Sequence, residues 1–180
     1  MMDKSPFSRL FDVRRVGESA VVESVVADAA ERAAIVADFG LFGLDRLEAA
    51  LTIRPWQRIG VKLEGRLVAD AVQACVVTLE PVREVIDQPF TLTFMPPRAG
   101  MAAPRTVGEA EVIVAVDEDD PPDLLEGNVI DLGAIVAEQL ALALDPYPRA
   151  PGADLAAELG MDDEAAPSPF AALSTLKRDS

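Results

Sequence analysis

The strongest constraint in this sequence is a period of two residues that begins at Leu47 and is not interrupted by any helical pattern. Apolar and polar residues alternate over residues 47–54 and again, after Pro55, over residues 59–67. Because strands joined by short polar breaks pair with their neighbours, the pattern predicts a mainly antiparallel sheet and leaves a barrel-like closure open. Other strands are predicted at residues 8–16, 21–26 (a second strand or a continuation of the first), 72–79, 90–94 and 110–116.

Helical patterns lie on both sides of this strand run. The first helix is predicted to begin at Asp28, an N-cap residue followed three positions later by Glu31 as in a capping box, and to stop at Phe39-Gly40. The second is predicted over about residues 129–144, and its cap is Asn128 or Asp131. Two helices at the ends of a strand run indicate the α+β class.

The chain length is that of about one domain, so residues 1–149 are predicted to form a single α+β domain. Residues 150–180 are predicted to be a flexible tail that begins with a disordered acidic linker. At its end the chain becomes apolar again, as in a tethered docking segment. The sequence leaves open whether this segment docks on a partner or on its own domain. The residues that fit one side of a short helix in this segment are Phe170, Leu173, Leu176 and Lys177.

Histidine is absent and cysteine occurs once, which removes most of the usual catalytic chemistry. The single Cys75 excludes an intramolecular disulfide and fits a reducing cytosol. In an apolar strand, Cys75 is predicted to be a buried residue with an inert thiol, since nothing adjacent in sequence would lower its pKa. A redox or regulatory thiol is the alternative. These residues predict no enzyme and no cofactor.

The chain also lacks the signals of membrane proteins. No apolar stretch reaches the roughly 18 residues that cross a bilayer, and residues 1–10 lack the apolar run of a signal peptide. We therefore expect a cytoplasmic protein that makes no membrane contact. Its oligomeric state is not predicted.

The formal net charge of −15 is concentrated in one region. Between Arg105 and Arg149 there is no Lys or Arg, whereas the same stretch holds eleven carboxylates. Such a field repels phosphate and attracts basic partners, for example ribosomal proteins, although it is also typical of a surface that only gives solubility. The loop at 117–127 suggests a divalent-metal site as an alternative, but Pro121-Pro122 breaks the calcium-loop pattern.

A row of basic residues is the second candidate for binding. Residues whose numbers differ by even steps share one face of a strand, so three cations are predicted to lie together, and two neighbours fall on the same parity. The row is Arg58, Lys62 and Arg66, with Arg54 and Trp56. A basic row beside an aromatic ring is typical of a local RNA contact. An ordinary solvent face is the alternative, and Glu64 and Asp70 dilute the positive charge.

Three blocks of the sequence resemble the bacterial YceD proteins, known as large ribosomal RNA subunit accumulation proteins. They are residues 75–82, residues 131–149 and residues 169–177. The resemblance implies a role in large-subunit ribosomal RNA accumulation without catalysis. Many YceD proteins carry a second cysteine where this chain has Thr78, so a zinc or redox role is not carried over. The motif positions matched here are Cys75, Leu79, Glu80, Pro81, Asp131, Leu132, Glu138 and Pro146.

The leading hypothesis from the sequence is a non-enzymatic ribosome biogenesis factor. Its expected partner is pre-ribosomal RNA, a ribosomal protein or a pre-ribosomal particle. The alternative is a divalent-metal carboxylate hydrolase that acts in RNA metabolism through the loop at 117–123.

Overall fold

The computed structural model describes residues 7–97, 122–125 and 127–155. The predicted strand at 110–116 and the C-terminal segment with Phe170, Leu173, Leu176 and Lys177 lie outside these residues. In chain order the described elements are β1 (Leu10–Asp12), a 3₁₀ helix (Val13–Arg15), β2 (Val21–Val26), α1 (Ala29–Phe39), β3 (Gly43–Trp56), β4 (Gly60–Ala74), β5 (Pro81–Met95), β6 (Asp123–Leu124), β7 (Val129–Asp131) and α2 (Leu132–Ala143).

Five of the strands form one sheet in the order β2-β3-β4-β5-β6. The pairs from β2 to β5 are antiparallel, whereas the short β6 lies parallel to β5 at Phe94 and Met95. β1 and β7 form a separate antiparallel pair. Among the described strands, β2 and β6 are edges that do not pair with each other, so the sheet is open. The α+β class with a mainly antiparallel sheet is confirmed, and the barrel-like closure does not occur.

Three long strands occupy the region in which shorter strands were predicted. β4 continues through residues 68–71 because the alternation persists there, with Ala69 and Ala71 buried on the inner face. The predicted strand at 72–79 is confirmed only for residues 72–74, since β4 ends at Ala74 and the chain then turns. The first predicted strand is also too long, because the Asp12 carboxylate caps a 3₁₀ helix that begins at Val13.

The predicted start and stop of the first helix are confirmed. The Asp28 carboxylate accepts hydrogen bonds from the N–H groups of Ala30 and Glu31, and the Glu31 side chain accepts one from the Asp28 N–H group. Gly40 ends the helix in the left-handed conformation, with φ of 66°. The second helix begins at Leu132 and not at about residue 129, because residues 129–131 pair with β1 as a strand. Of its two predicted caps, Asp131 is confirmed.

The two helices lie against the inner face of the sheet, where they form a single core with it. Ile35 of α1 and Val136 and Leu140 of α2 are fully buried in this core. Within the described part of the chain, neither helix has the length and hydropathy needed to cross a bilayer. The sheet contributes mainly branched and small side chains, among them Leu47, Ala49, Leu51, Ile53, Leu63, Leu67 and Ala69.

Asp131 joins the N-terminal chain to the start of α2. One carboxylate oxygen accepts hydrogen bonds from the N–H groups of Gly133 and Ala134, and from the Arg9 N–H group at 2.7 Å. The other oxygen accepts a 2.6 Å hydrogen bond from the Ser8 hydroxyl. Burial opposes ionisation, but these hydrogen bonds hold the pKa of Asp131 below its ordinary value. The cap of α2 and the seating of the N-terminal chain therefore depend on one side chain.

Gly133 provides a test of this junction, because the N-terminal chain passes directly over it. A methyl group at Gly133 would come within 2.7 Å of the Phe7 carbonyl oxygen. We expect Gly133→Ala to lower the free energy of unfolding by about 1–2 kcal/mol in urea titrations. The expected overpacking cost exceeds the roughly 1 kcal/mol gained in helix propensity.

Gly17→Ala is the matched control, since no atom lies within 4 Å of the added methyl group. It should leave the free energy of unfolding almost unchanged. Equal stabilities of the Gly133→Ala protein and the unmodified protein would contradict the described packing of Phe7 over α2.

Candidate functional site

The predicted basic row lies mostly on the outer face of the sheet, opposite the helices. Arg54 on β3 pairs directly across from Lys62 on β4, and Arg66 follows farther along β4. Trp56 is the last residue of β3. Arg58 was predicted to lie in the strand row, and this prediction is wrong. Residues 57–59 form the turn between β3 and β4.

Carboxylates on the same face form ion pairs with the strand cations of this row. Arg54 and Lys62 both contact Glu64, with nitrogen–oxygen distances of 2.6 and 3.2 Å. Arg66 binds the Asp87 carboxylate through two hydrogen bonds of 2.6 and 2.8 Å. The Arg66 guanidinium lowers the pKa of Asp87, which keeps the pair ionised. A phosphate ligand would therefore compete with carboxylates already in place.

A second candidate site lies at the opposite end of β4, in the loop of the β4–β5 hairpin. We call residues 75–80 the Cys75 loop. Ala74 and Pro81 pair across its base, and the Cys75 N–H group donates to the Glu80 carbonyl at 2.8 Å. The Leu79 N–H group donates to the Cys75 carbonyl at 3.0 Å, and Leu79 has a positive φ of 61°. The loop is therefore a closed turn with a leucine in a conformation that leucine rarely adopts.

The Cys75 sulfur is fully buried and accepts several hydrogen bonds. The N–H groups of Val77 and Thr78 lie 3.4 Å from Sγ, and that of Ala150 lies 3.3 Å away. With a further bond from the Thr78 hydroxyl, which is the largest cause, these donors lower the pKa of Cys75 from 9.0 to about 7. The predicted burial is confirmed, but the expectation that nothing adjacent in sequence lowers this pKa is wrong.

The chain that follows α2 lies across the Cys75 loop, and we call residues 145–155 the strap. The Val76 N–H group donates to the Pro148 carbonyl at 2.9 Å. Asp145 is held on the hairpin itself, because its carbonyl accepts from the Gln73 side chain at 3.0 Å and its N–H group donates to Glu84. Together with the Ala150–Cys75 contact, these bonds fix the strap against the loop.

Loop and strap together form a surface with exposed apolar side chains. Tyr147 and Leu79 are each 71% exposed and Val76 is 47% exposed. Their backbones are nevertheless fixed, because the Tyr147 N–H group donates to the Asp145 carboxylate at 2.8 Å and those of Leu79 and Val76 donate as described above. A cleft of about 350 Å³ lies beside them, lined by Thr78, Glu80 and residues 150–154. The loop and strap carry three carboxylates but a single cation, Arg149.

A family model described as large ribosomal RNA subunit accumulation protein YceD matches residues 63–177. This is more than half of the chain. The chain belongs to the YceD family. No curated protein and no solved structure matches it.

The positions predicted to match the YceD motif divide into two groups in the fold. Cys75, Leu79, Glu80 and Pro81 form the loop and its base, and Pro146 lies in the strap that crosses it. The other three positions lie at the start of α2 or along it. Asp131 caps this helix, Leu132 is buried and Glu138 is exposed. The predicted motif positions thus combine one surface with residues at the start of α2 and along it.

The residues around Cys75 do not fit a zinc ion. Zinc sites in proteins use several Cys, His or carboxylate ligands. In the parts of the chain that the structure describes, no group of three such residues could hold a metal. At the position of the second YceD cysteine, the Thr78 hydroxyl instead donates a hydrogen bond to Sγ.

Sequence reasoning did not identify Val76, Tyr147 or Ala150 as site residues. Val76 and Ala150 contribute through backbone N–H groups, which no side-chain pattern reveals. One signal was available, because Pro146-Tyr147-Pro148 cannot continue a helix and holds the only tyrosine of the chain between two prolines.

The hydrogen bonds to Cys75 predict how its thiol titrates. In the folded protein, thiolate absorbance near 240 nm should rise with a midpoint close to pH 7. Thr78→Val should move this midpoint upward, since Thr78 provides the largest hydrogen bond to sulfur. Thr91→Val, on the exposed face of β5, should not move it.

The same shift links the thiol to stability. Because the folded pKa lies below 9.0, the thiolate contribution is present above pH 9 and is lost as the pH falls through about 7. The Thr78→Val variant should therefore lose more stability at pH 9 than at pH 6. A native midpoint near 9 in the unmodified protein would show that Sγ does not accept these hydrogen bonds.

Proposed function

We propose that this YceD protein supports accumulation of large-subunit ribosomal RNA as a non-enzymatic binding factor, and that its direct contact is a basic ribosomal protein. The family description supports the biological role. The net charge of −15 supports a basic partner, because an acidic surface repels the phosphate backbone and speeds encounter with cationic proteins.

The observation that carries this proposal is the partial neutralisation of the basic row. RNA affinity depends mainly on cations that can replace counterions at phosphates. Arg54 and Lys62 share the Glu64 carboxylate, and Arg66 is bound at two points by Asp87. Within the described residues only Arg58 of the predicted set has no ion pair. Because Arg54 and Lys62 share one carboxylate, the four cations and two carboxylates leave a net charge of +2. This small charge provides little RNA affinity compared with the several phosphate contacts of typical RNA-binding surfaces.

The proposal includes no catalysed reaction. The chain has no histidine, and its one thiol is buried inside a hydrogen-bonded loop. The hydrolase alternative stays a hypothesis, because residues 117–120 lie outside the described residues. Calorimetric titration with Mg²⁺, Mn²⁺ and Ca²⁺ tests it, and specific binding with a defined stoichiometry would favour that alternative.

The proposed function is tested by affinity purification of the tagged full-length protein with and without ribonuclease. We expect precursor large-subunit particles to be recovered without ribonuclease, and a basic ribosomal protein to remain bound after ribonuclease treatment. Deletion of the gene should lower the ratio of large-subunit to small-subunit ribosomal RNA. Failure of the protein to associate with any precursor of the large subunit would contradict the proposed role.

A matched variant separates the protein contact from an RNA contact. Arg58→Gln, Lys62→Gln and Arg66→Gln combined should leave particle association within about twofold of the unmodified protein, because two of these cations already form ion pairs with carboxylates. Thermal unfolding checks that the variant is folded. Loss of association in a folded variant would show that the basic row contacts RNA and would contradict the choice of a protein partner.

A further inference from the structure

We infer that the surface formed by the Cys75 loop and the strap is a docking site for a basic polypeptide segment that presents apolar side chains. This inference rests on the proposed function and identifies the surface through which it would operate. It draws on three independent features, which are fixed apolar side chains, surrounding carboxylates and the conformation of Leu79.

The apolar side chains have fixed backbones but do not pack into the described core. Tyr147 and Leu79 are each 71% exposed, yet the N–H groups of both residues are hydrogen bonded to Asp145 and Cys75. Val76, which is 47% exposed, is fixed to the strap through the Pro148 carbonyl. A rigid surface loses little conformational entropy on binding, so its apolar area contributes efficiently to affinity.

The charges around these side chains select a cationic partner. Glu80 lies in the loop, Asp145 lies in the strap, and Glu84 is hydrogen bonded to the strap backbone. Arg149 is the single cation of the loop and strap. Nearby Arg83 forms an ion pair with Asp45. This arrangement disfavours RNA and favours Lys- and Arg-rich protein segments.

Leu79 adopts a conformation that its own burial does not explain. A non-glycine residue with φ of 61° is uncommon, and Gly or Asn adopts this conformation more readily than leucine. Leucine at this position gives no burial in return, since its side chain is mostly exposed. Strained residues of this kind are concentrated at binding and catalytic sites, where the side chain has a use beyond stability.

Two unique aromatic residues allow binding to be located directly. The chain has one tyrosine, Tyr147 in the strap, and one tryptophan, Trp56 at the other end of the β3–β4 hairpin. The length of β4 places these two ends roughly 45 Å apart. The full-length protein labelled with 3-fluorotyrosine and 5-fluorotryptophan therefore gives one ¹⁹F resonance at each end.

The probes are two synthetic peptides of equal length and charge and a single-stranded RNA oligonucleotide. One peptide places Lys on one face of a helix and Leu on the other, and the second replaces every Leu by Ser. We expect the Lys/Leu peptide to shift the Tyr147 resonance saturably and to leave the Trp56 resonance unchanged. It should bind about tenfold more tightly than the Lys/Ser peptide, the effect of burying one large apolar side chain.

A variant that keeps the fold provides the decisive comparison. Leu79→Asn removes the apolar side chain, and asparagine adopts the positive φ readily. The variant should therefore retain its thermal stability and bind the Lys/Leu peptide with about tenfold lower affinity. Gln57→Asn is the matched control, because Gln57 is the other non-glycine residue with positive φ among the described residues and lies at the opposite end. It should leave peptide affinity unchanged.

Several outcomes would overturn the docking site. The docking site would be contradicted if both peptides bound equally well. It would also be contradicted if the Lys/Leu peptide bound the Leu79→Asn protein as tightly as the unmodified protein, or if RNA bound preferentially at Tyr147. A Tyr147 resonance that depends on protein concentration would indicate a second copy as occupant. A resonance that changes in the Phe170→Ser, Leu173→Ser variant without peptide would indicate the C-terminal segment of the same chain.

The docking site and the proposed function can fail separately. If the Leu79→Asn protein associates with large-subunit precursors as well as the unmodified protein, the docking site is wrong and the proposed function stands. If the unmodified protein binds the Lys/Leu peptide at Tyr147 but never associates with those precursors, the docking site stands and the proposed function is wrong.

Discussion

The described fold depends on the Asp131 carboxylate. Three long antiparallel strands leave one apolar face to be covered, and α2 covers it from a fixed starting point. Asp131 fixes that point by capping the helix and by accepting hydrogen bonds from Ser8 and Arg9. Arg9 in turn binds Glu31, the capping-box residue of α1, with two hydrogen bonds of 2.6 and 2.9 Å. One network of charges and caps therefore holds both helices and the N-terminal chain against the sheet.

The position of the candidate surface follows from that anchorage. Because α2 begins at a fixed point, its far end brings the strap to the end of the β4–β5 hairpin. There the Cys75 sulfur accepts hydrogen bonds from its own loop and from Ala150 of the strap, two segments far apart in sequence. The sulfur thus joins the Cys75 loop to the strap through hydrogen bonds. The Cys75 loop and the strap together present fixed apolar side chains among carboxylates to the solvent.

Local chemistry made part of this structure predictable. The capping box at Asp28 and Glu31 and the stop at Gly40 depend on neighbouring residues alone, and both were predicted correctly. The shared face of Arg54, Lys62 and Arg66 followed from the two-residue period of strands. The partner of Arg66 did not, because Asp87 reaches it only through the β4–β5 register. Likewise the apolar run at 72–79 was predicted as a strand, because its hydropathy does not distinguish a strand from a loop. The Val76 N–H group pairs with Pro148, which is distant in sequence, and the N–H groups of Val77 and Thr78 pair with the nearby sulfur.

The central claim is that this YceD protein meets its partner at the Cys75 loop and strap, and that the partner is a protein. The most direct test replaces Tyr147 by a photo-crosslinking phenylalanine derivative in the cell and identifies what it captures on large-subunit precursors. The same derivative at Trp56 serves as the control position. The account predicts that the Tyr147 position captures a basic ribosomal protein. Capture of ribosomal RNA there, or of a ribosomal component only at the Trp56 position, would contradict it.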